Sequence, residues 1–269
     1  MNSAPTEKGG GFDPHIYSDL YEAEDRHFWF RGRNKIIAAA LAPITNAMGA
    51  DSRILEVGCG SGNTTRVLQR LCGHAQVIGM DLLFDGLRYA QARGVACLVQ
   101  GDVTVPPFSV PFDLVGMFDV LEHVPDDIAA LRHLHGLLRT GARLVLTVPA
   151  HAALWSYFDE LSCHCRRYEI ADLTEKLLRT DYKIEYLTEF MMFSYPLVWL
   201  QRRLVGPLRA RSYGPTETAR NELRIHPLPN AVLGCLQKME TSLVRRRQRL
   251  PFGTSILVVA CKCRANSSA

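Results

Sequence analysis

The chain has 269 residues, of which 47% are hydrophobic and 22% are charged. This composition is typical of a globular domain, and it excludes disordered, collagen-like and small disulfide-stapled proteins. No uncharged apolar stretch reaches the roughly 18 residues of a membrane-spanning helix. The N-terminal residues 1–14 lack the apolar segment of a secretion signal and predict a flexible tail. We therefore expect a cytoplasmic protein with one large core.

The formal net charge is +4, and it is distributed unevenly. Residues 200–250 contain eleven Lys and Arg residues against three acidic ones, so the basic character is local. The eight cysteines form no CxxC pair, which favours free thiols. The cluster Cys163-His164-Cys165 suggests a metal, but no second ligand pair stands at a suitable spacing, so we predict no metal site.

The first structured segment is predicted to be a helix over residues 16–41, closed by Pro43. It is dense in aromatic and basic side chains. We predict that residues 15–50 form a helical lid over the site, with aromatic packing against the sheet as the alternative.

Short apolar runs then alternate with segments of helical spacing. The predicted strands are 53–57, 75–80, 95–99, 112–118, 142–148, 183–190 and 254–262, and the predicted helices are 63–72, 84–92, 126–138 and 170–180. Such alternation implies right-handed crossovers between parallel strands. The predicted fold class is α/β, a doubly wound, Rossmann-like, seven-stranded, mostly parallel sheet. We place its core at 51–190, a helical insertion at 191–252 and the last strand with a tail at 253–269.

A glycine-rich turn, Glu56-Val57-Gly58-Cys59-Gly60-Ser61-Gly62, follows the first strand and precedes a helix. Glycines let the backbone turn sharply and approach a ligand closely. The dinucleotide pattern G-x-G-x-x-G is not matched, because Asn63 replaces its third glycine. The acid at the strand end would repel a pyrophosphate and suits a cationic ligand.

Two further acids follow the next strands. Asp81 ends the second strand, where we expect a solvent-facing carboxylate that accepts hydrogen bonds from ribose hydroxyls. Asp102 follows the third strand, where a carboxylate can take an adenine amino group beside the apolar Val103. Three acids at three successive strand ends describe a positively charged nucleoside, and S-adenosylmethionine (SAM) fits that description.

The segments LEVGCGSG, GMD, QGDV and FDLVGMFDVLEHVPDD resemble the successive motifs of class I SAM-dependent methyltransferases over about residues 52–150. The similarity is closest to the ubiquinone-type and natural-product subset. The flanks resemble a bacterial group in which CHCRRY more usually reads GHxRRY, so Cys163 stands where that pattern has glycine. The resemblance implies SAM as cofactor and methyl transfer to oxygen, nitrogen or carbon of a small-molecule or lipid-linked acceptor.

The same resemblance implies a set of site residues. The cofactor-binding residues are Glu56, Gly58, Cys59, Gly60, Gly62, Asp81, Leu82, Asp102, Val103, Phe118 and Asp119. The candidates for catalysis are His164, His123 and Tyr168, with the histidines as possible general bases. The candidates for substrate contact are Trp29, Arg33 and Arg167.

The insertion combines apolar and basic residues. Val232, Leu236, Met239 and Leu243 recur at helical spacing before the basic cluster 245–249. We predict a cap over an apolar substrate pocket, with a membrane-surface helix in 191–250 at the inner membrane as the alternative.

Two other functions compete with small-molecule methylation. The basic insertion suggests a nucleic-acid methyltransferase, although the chain lacks an NPPY-type motif for base amines. A regulator that binds SAM without turnover is the second alternative, and the full set of acids argues against it.

Overall fold

The computed structural model describes residues 17–205 and 225–263. Seven strands form one sheet in the order β3-β2-β1-β4-β5-β7-β6. The strands are β1 (Arg53–Val57), β2 (Gln76–Asp81), β3 (Leu98–Gln100), β4 (Phe112–Phe118), β5 (Leu138–Pro149), β6 (Tyr182–Phe190) and β7 (Ser255–Lys262). The first five strands pair in parallel, and β7 runs antiparallel between β5 and β6. The predicted seven-stranded, mostly parallel sheet is confirmed.

Helices cover both faces of this sheet. They are α1 (Tyr17–Glu24), α2 (Phe28–Thr45), α3 (Thr65–Leu71), α4 (Phe84–Ala92), α5 (Asp127–Leu137), α6 (Tyr157–Leu161), α7 (Ile170–Leu178), α8 (Tyr195–Leu200) and α9 (Pro227–Arg245). A π-helical turn, Gln201–Val205, continues α8. Residues 206–224 of the predicted insertion and the predicted tail 1–14 lie outside the described residues.

The central strands are apolar on both faces because successive side chains enter different cores. In β1, Ile54 packs with α2 and α3, whereas Leu55 packs with α5 and α7. In β4, Leu114 belongs to the same core as Ile54, and Val115 belongs to the same core as Leu55. This burial on both faces explains why the strands were recognisable as continuous apolar runs.

The N-terminal segment is two helices, so the prediction of one helix over residues 16–41 was wrong. A turn separates α1 from α2, and the His27 side chain accepts a hydrogen bond from the Trp29 N–H at 3.2 Å, which caps α2. Histidine is not a preferred residue at this position, so the break carried no usual sequence signal. Pro43 lies inside the last turn of α2 and does not end the helix.

Helices α2 and α9 lie side by side on one face of the sheet. A Cβ at Gly32 would lie 2.0 Å from Gln237 Oε1, so glycine permits the close approach. The Asn230 Oδ1 accepts the Phe28 N–H at 2.6 Å, and Arg247 Nη2 donates to the Ala40 carbonyl at 2.9 Å. The N-terminal segment and the insertion therefore form one layer. Among the described helices, none combines the length and apolar character needed to cross a bilayer.

Candidate active site

A cavity of about 590 Å³ opens at the carboxyl ends of the parallel strands, where ligands of doubly wound sheets bind. One end is formed by the glycine-rich turn and the residues that follow β2 and β3. The other end is formed by the loops after β4 and β5 and by α8. The predicted site residues that line it are Trp29, Arg33, Glu56, Gly58, Cys59, Gly60, Asp81, Leu82, Asp102, Val103, Phe118, Asp119, His123, His164 and Arg167.

The glycines of the turn differ in what they permit. All three of Gly58, Gly60 and Gly62 have positive φ, at 70°, 50° and 76°. The Cβ position of Gly60 has no neighbour within 4 Å, so this residue leaves room for a ligand. A Cβ at Gly62 would lie 2.9 Å from that of Ala90, and Gly62 does not line the cavity. Gly62 therefore serves the packing of the turn on α4.

Glu56 is a buried acid at the floor of the turn. It is 2% exposed, and its Oε2 has no hydrogen-bond partner among the described residues. Burial raises the pKa of this carboxyl to about 8. A neighbouring cation stabilises a buried carboxylate, so the unpaired Oε2 suits a positively charged ligand group.

Asp81 is buried, and the expectation of a solvent-facing carboxylate was wrong. It is 8% exposed, with Oδ2 accepting the Gly60 N–H at 2.6 Å and Oδ1 accepting the Leu83 N–H at 2.8 Å. Burial raises the pKa of Asp81, against the effect of these backbone hydrogen bonds. The side chain thus also holds the glycine-rich turn to the end of β2.

The residues after β2 and β3 continue this end of the cavity. Leu82 is 43% exposed, which leaves an apolar surface for a flat ring. Asp102 is exposed, and its Oδ1 accepts the Thr104 N–H at 2.8 Å, while Val103 is buried beside it. An exposed acid next to two apolar side chains is compatible with an adenine edge.

Asp119 and Arg33 form the link between β4 and the N-terminal helices. Asp119 has a φ of 56°, and its Oδ2 lies 2.7 Å from Arg33 Nε. The guanidinium carbon of Arg33 lies 5.5 Å from the centre of the Trp29 ring. The two predicted substrate residues on α2 therefore form one wall of the cavity with Asp119 and Phe118.

Helix α1 is attached to the glycine-rich turn. Ser61 Oγ donates a hydrogen bond to the Glu24 carboxyl, which also lies 2.8 Å from Arg93 Nη2. The Arg93 guanidinium stacks over the Tyr21 ring at 4.2 Å. These contacts place α1 beside the glycine-rich turn, where Leu20 and Glu24 line the cavity, and its role as a lid stays a prediction.

Two histidines meet at the opposite end of the cavity. The ring centres of His123 and His164 are 4.7 Å apart. The His164 Nδ1 lies 2.9 Å from Asp159 Oδ1, while its Nε2 lies 4.0 Å from Glu122 Oε1. Burial and the neighbouring His164 lower the pKa of His123 to about 4, which keeps His123 neutral at physiological pH.

Asp159 orients His164 and is fully buried. Its carboxylate also lies 2.7 Å from Arg167 Nε and 3.5 Å from Arg202 Nη1. Burial alone would raise the pKa of Asp159, but the His164 hydrogen bond and the Arg167 and Arg202 charges lower it to about 2. Burial, followed by the charge of Arg202, lowers the pKa of Arg167 to about 10. The Arg167 guanidinium is thus paired with the buried carboxylate of Asp159.

Glu122 is the second buried acid of the cavity. It is fully buried, and neither carboxyl oxygen has a hydrogen-bond partner in the described part of the chain. Burial, with a contribution from Asp119, raises its pKa well above the ordinary value. Ligand atoms of Glu122, His123 and His164 lie within 4.8 Å of one another, a spacing that could hold a cation.

Tyr168 does not reach the cavity. It is fully buried in the core, and its hydroxyl donates to Asp127 Oδ2 at 2.9 Å. Burial and the Asp127 charge raise the pKa of this hydroxyl. Tyr168 therefore anchors the start of α5 and lies too deep to exchange a proton with an acceptor.

Cys163 has a φ of 55°, in the left-handed region that glycine adopts most easily. The related pattern has glycine here, so this chain places a less suitable residue in that conformation. Both Cys163 and Cys165 are exposed, and neither belongs to the cation-sized cluster.

Sequence reasoning missed three residues of this site, Glu122, Asp159 and Arg202. Glu122 stood in a quoted motif, next to His123, without a role of its own. Asp159 follows Ser156 by three residues, and this spacing predicts the helix-capping box that is indeed present. Its contact with His164 depends on the fold of the loop, which the spacing does not reveal.

Comparisons with known proteins show a family and partial relatives. The family model described as Methyltransferase domain matches residues 21–187. A ubiquinone biosynthesis O-methyltransferase from Xanthomonas oryzae pv. oryzae is 35% identical over 105 residues, which cover 36% of this chain and 43% of the relative. The corresponding enzyme of Xylella fastidiosa is 31% identical over 103 residues, or 36% of this chain and 41% of the relative. The chain thus spans less than half the length of these curated relatives.

Solved structures share the fold at low identity. Phosphoethanolamine N-methyltransferase 2 of Haemonchus contortus, solved with SAM, has a TM-score of 0.55 at 19% identity, covering 84% of this chain and 52% of its own. The [4+2]-cyclase SpnF has a TM-score of 0.53 at 17% identity, covering 84% and 82%. Because these two proteins carry different names for their chemistry, the likeness shows the fold alone.

The fold and the cavity define a class I methyltransferase architecture. The chain belongs to the family whose model is described as Methyltransferase domain. The residues present fit SAM, because Gly60 leaves an open cradle and the buried Glu56 has one carboxyl oxygen, Oε2, without a hydrogen-bond partner among the described residues. The two ubiquinone biosynthesis relatives named above come from bacteria.

Proposed function

We propose that the protein methylates a hydroxyl group of a small or lipid-linked acceptor, with His164 as the general base. The observation that carries this proposal is the Asp159–His164 pair, joined at 2.9 Å, beside the cavity. An ionised carboxylate at Nδ1 leaves Nε2 as the basic nitrogen and stabilises the imidazolium that forms. The names of the partial relatives, O-methyltransferases, support oxygen over nitrogen or carbon.

The cofactor, when bound, supplies a methyl group already activated by its sulfonium charge. We propose that the Gly58–Gly62 turn, Glu56, Asp81, Leu82 and Asp102 hold it at one end of the cavity. The protein then has to align the acceptor oxygen, exclude water and remove one proton. His164 Nε2 receives that proton, and Asp159 remains ionised throughout because its pKa is about 2.

The end of the cavity beside His123 and His164, here called the acceptor end, is proposed to hold the acceptor. Phe28, Phe30, Phe158 and Val198 are among the residues that line the cavity, and such apolar side chains favour a ring or an alkyl chain beside the reacting hydroxyl. We therefore include lipid-linked acceptors in the proposal. A cytoplasmic protein that methylates such an acceptor would contact the inner membrane at its surface, and we propose that residues 191–250 make this contact. The proposal requires no metal, because the Asp159–His164 pair already supplies the base.

The test is methyl transfer from radiolabelled SAM to a panel of hydroxylated aromatic and lipid-linked compounds, with total RNA as a further substrate. We expect label in a hydroxyl acceptor. His164→Ala should lower kcat by about 10²- to 10⁴-fold, the contribution of a general base. A chelator should leave the wild-type rate unchanged.

Three results would contradict the proposal. Label only in RNA would assign a nucleic-acid substrate, and SAM binding without transfer to any compound would favour a regulator. Loss of activity with chelator, restored by a divalent cation, would assign the Glu122, His123 and His164 cluster to a metal.

A further inference from the structure

Helix α9 has an apolar face that is exposed in the part of the chain that the structure describes. Leu228, Val232 and Met239 are 79%, 56% and 58% exposed, and the exposed Cys235 stands between them. Their spacing of three and four residues places them on one face of the helix. The opposite face is packed against the protein through Leu233, Gln237, Glu240, Thr241 and Val244.

Basic side chains border this apolar stripe. Arg31 and Lys35 stand one helical turn apart on α2, and Lys238 follows Gln237, which packs on Gly32 of the same helix. All three are exposed, two on α2 and one on α9. Arg245 and Arg246 are exposed at the end of α9 and extend the positive border.

Among the described residues, α2 and α9 present no exposed acidic side chain. The sequences of α2 and α9 contain one acid, Glu240. It is fully buried, and its carboxylate accepts the Met191 N–H at 2.7 Å and the Phe193 N–H at 3.0 Å. The exposed part of the two helices therefore carries positive charges and no negative one beside its apolar stripe, the combination found in helices that lie in the surface of an anionic membrane.

The stripe begins near the cavity. The first turn of α9 holds the first turn of α2 through Asn230 and the Phe28 N–H, and Phe28 lines the cavity. On α8, Leu197 and Trp199 are 55% and 43% exposed, while Val198 between them lines the cavity. Exposed apolar side chains thus lie close to the cavity on two helices, α9 and α8.

We propose that the α2–α9 face docks on an anionic lipid bilayer. We define the face by its exposed residues, Arg31, Lys35, Leu228, Val232, Cys235, Lys238, Met239, Arg245 and Arg246. The inference rests on the membrane contact included in the proposed function and names its surface and its lipid. Arg247 is outside the face, because its guanidinium donates to the Ala40 carbonyl and stacks on the Tyr186 ring at 4.8 Å.

The experiment is vesicle flotation of the full chain with phosphatidylcholine alone and with an equimolar mixture of phosphatidylcholine and phosphatidylglycerol. One variant carries Leu228→Ser, Val232→Ser and Met239→Ser, and a second carries Lys35→Gln, Lys238→Gln and Arg245→Gln. The control for the serine variant carries Val110→Ser and Leu178→Ser. The control for the charge variant carries Arg70→Gln, Arg88→Gln and Arg132→Gln. All five residues are exposed on other parts of the protein. Calorimetry with SAM checks that each variant is folded.

The wild type should float with the anionic vesicles only. The charge variant should partition roughly 100-fold more weakly, the effect of three cations near an anionic surface, and the control variants should float normally. The serine variant should lose flotation with SAM affinity unchanged. Absence of wild-type flotation, or equal loss in the controls, would overturn the inference. So would a wild-type dimer that the serine variant converts to a monomer, because a second copy would then occupy the face.

Methyl transfer to a water-soluble acceptor is measured separately. A wild type that transfers methyl but does not float contradicts the membrane inference alone. Flotation without transfer to any acceptor contradicts the proposed reaction and leaves the docking surface supported.

Discussion

At the cofactor end of the cavity, the contacts come from backbone groups and side chains close to the ends of β1, β2 and β3. At the acceptor end, they come from side chains of segments far apart in sequence, such as His123, Asp159, His164 and Arg202. The first end depends on where the strands stop. The second depends on how three loops pack on one another. This difference predicts that substitutions at the two ends should have separable effects on SAM affinity and on turnover.

The largest expected effect is at the acceptor end. Asp159→Asn removes the charge that orients His164 and should lower kcat by about 10²- to 10⁴-fold. SAM affinity should stay within about threefold of wild type, since a change that small is under 1 kcal/mol. Single-turnover methyl transfer and calorimetry measure the two quantities. Tyr168→Phe is the matched control in the same segment, and it should keep the wild-type kcat while lowering the melting temperature. An equal loss of SAM affinity in Asp159→Asn would show that the ends are not separable.

The next effect is at the cofactor end. Asp81→Ala removes the acceptor of the Gly60 and Leu83 N–H groups and the proposed ribose contact. SAM affinity should fall by roughly 1.5–3 kcal/mol, the value of hydrogen bonds to a charged group. Asp85→Ala, an exposed acid on the next helix, is the control for charge. Unchanged affinity in Asp81→Ala, measured by calorimetry, would remove this residue from the binding site.

The smallest effect is a pH dependence of SAM binding. With a pKa of about 8, Glu56 carries a proton at pH 7 in the free protein. A cationic ligand favours the ionised carboxylate, so binding should release a proton and affinity should rise with pH until about pH 8. The rise is at most about tenfold per pH unit.

Calorimetry in buffers of different ionisation enthalpy measures that proton release. Glu56→Gln should abolish the proton release that comes from the protein when SAM binds. Any proton that the amino group of the ligand exchanges on binding is the same in both proteins. Equal proton release in both proteins would mean that Glu56 does not face the cation.

The difference between the two ends of the cavity also explains how much of the fold and of the site could be predicted from the sequence. The strands over residues 53–57 and 112–118 have the predicted bounds, because both faces are buried and the apolar runs are continuous. The glycine-rich turn was recognisable too, because its glycines follow the first strand directly in the sequence. The break at His27 and the burial of Tyr168 were not, since each depends on a side chain whose partner is set by tertiary structure. The ion pairs of Asp159 join residues up to 43 positions apart, and no local pattern encodes them.

The position of β7 has a consequence for the order of assembly. During synthesis, β6 leaves the ribosome well before β7, yet β6 pairs with the sheet only through β7. Until then, β6 exposes both of its edges, and the antiparallel side of the sheet is incomplete. Non-local pairing of this kind is slow and exposes unpaired strands to aggregation. We expect this part of the nascent chain to be the segment that depends most on chaperones.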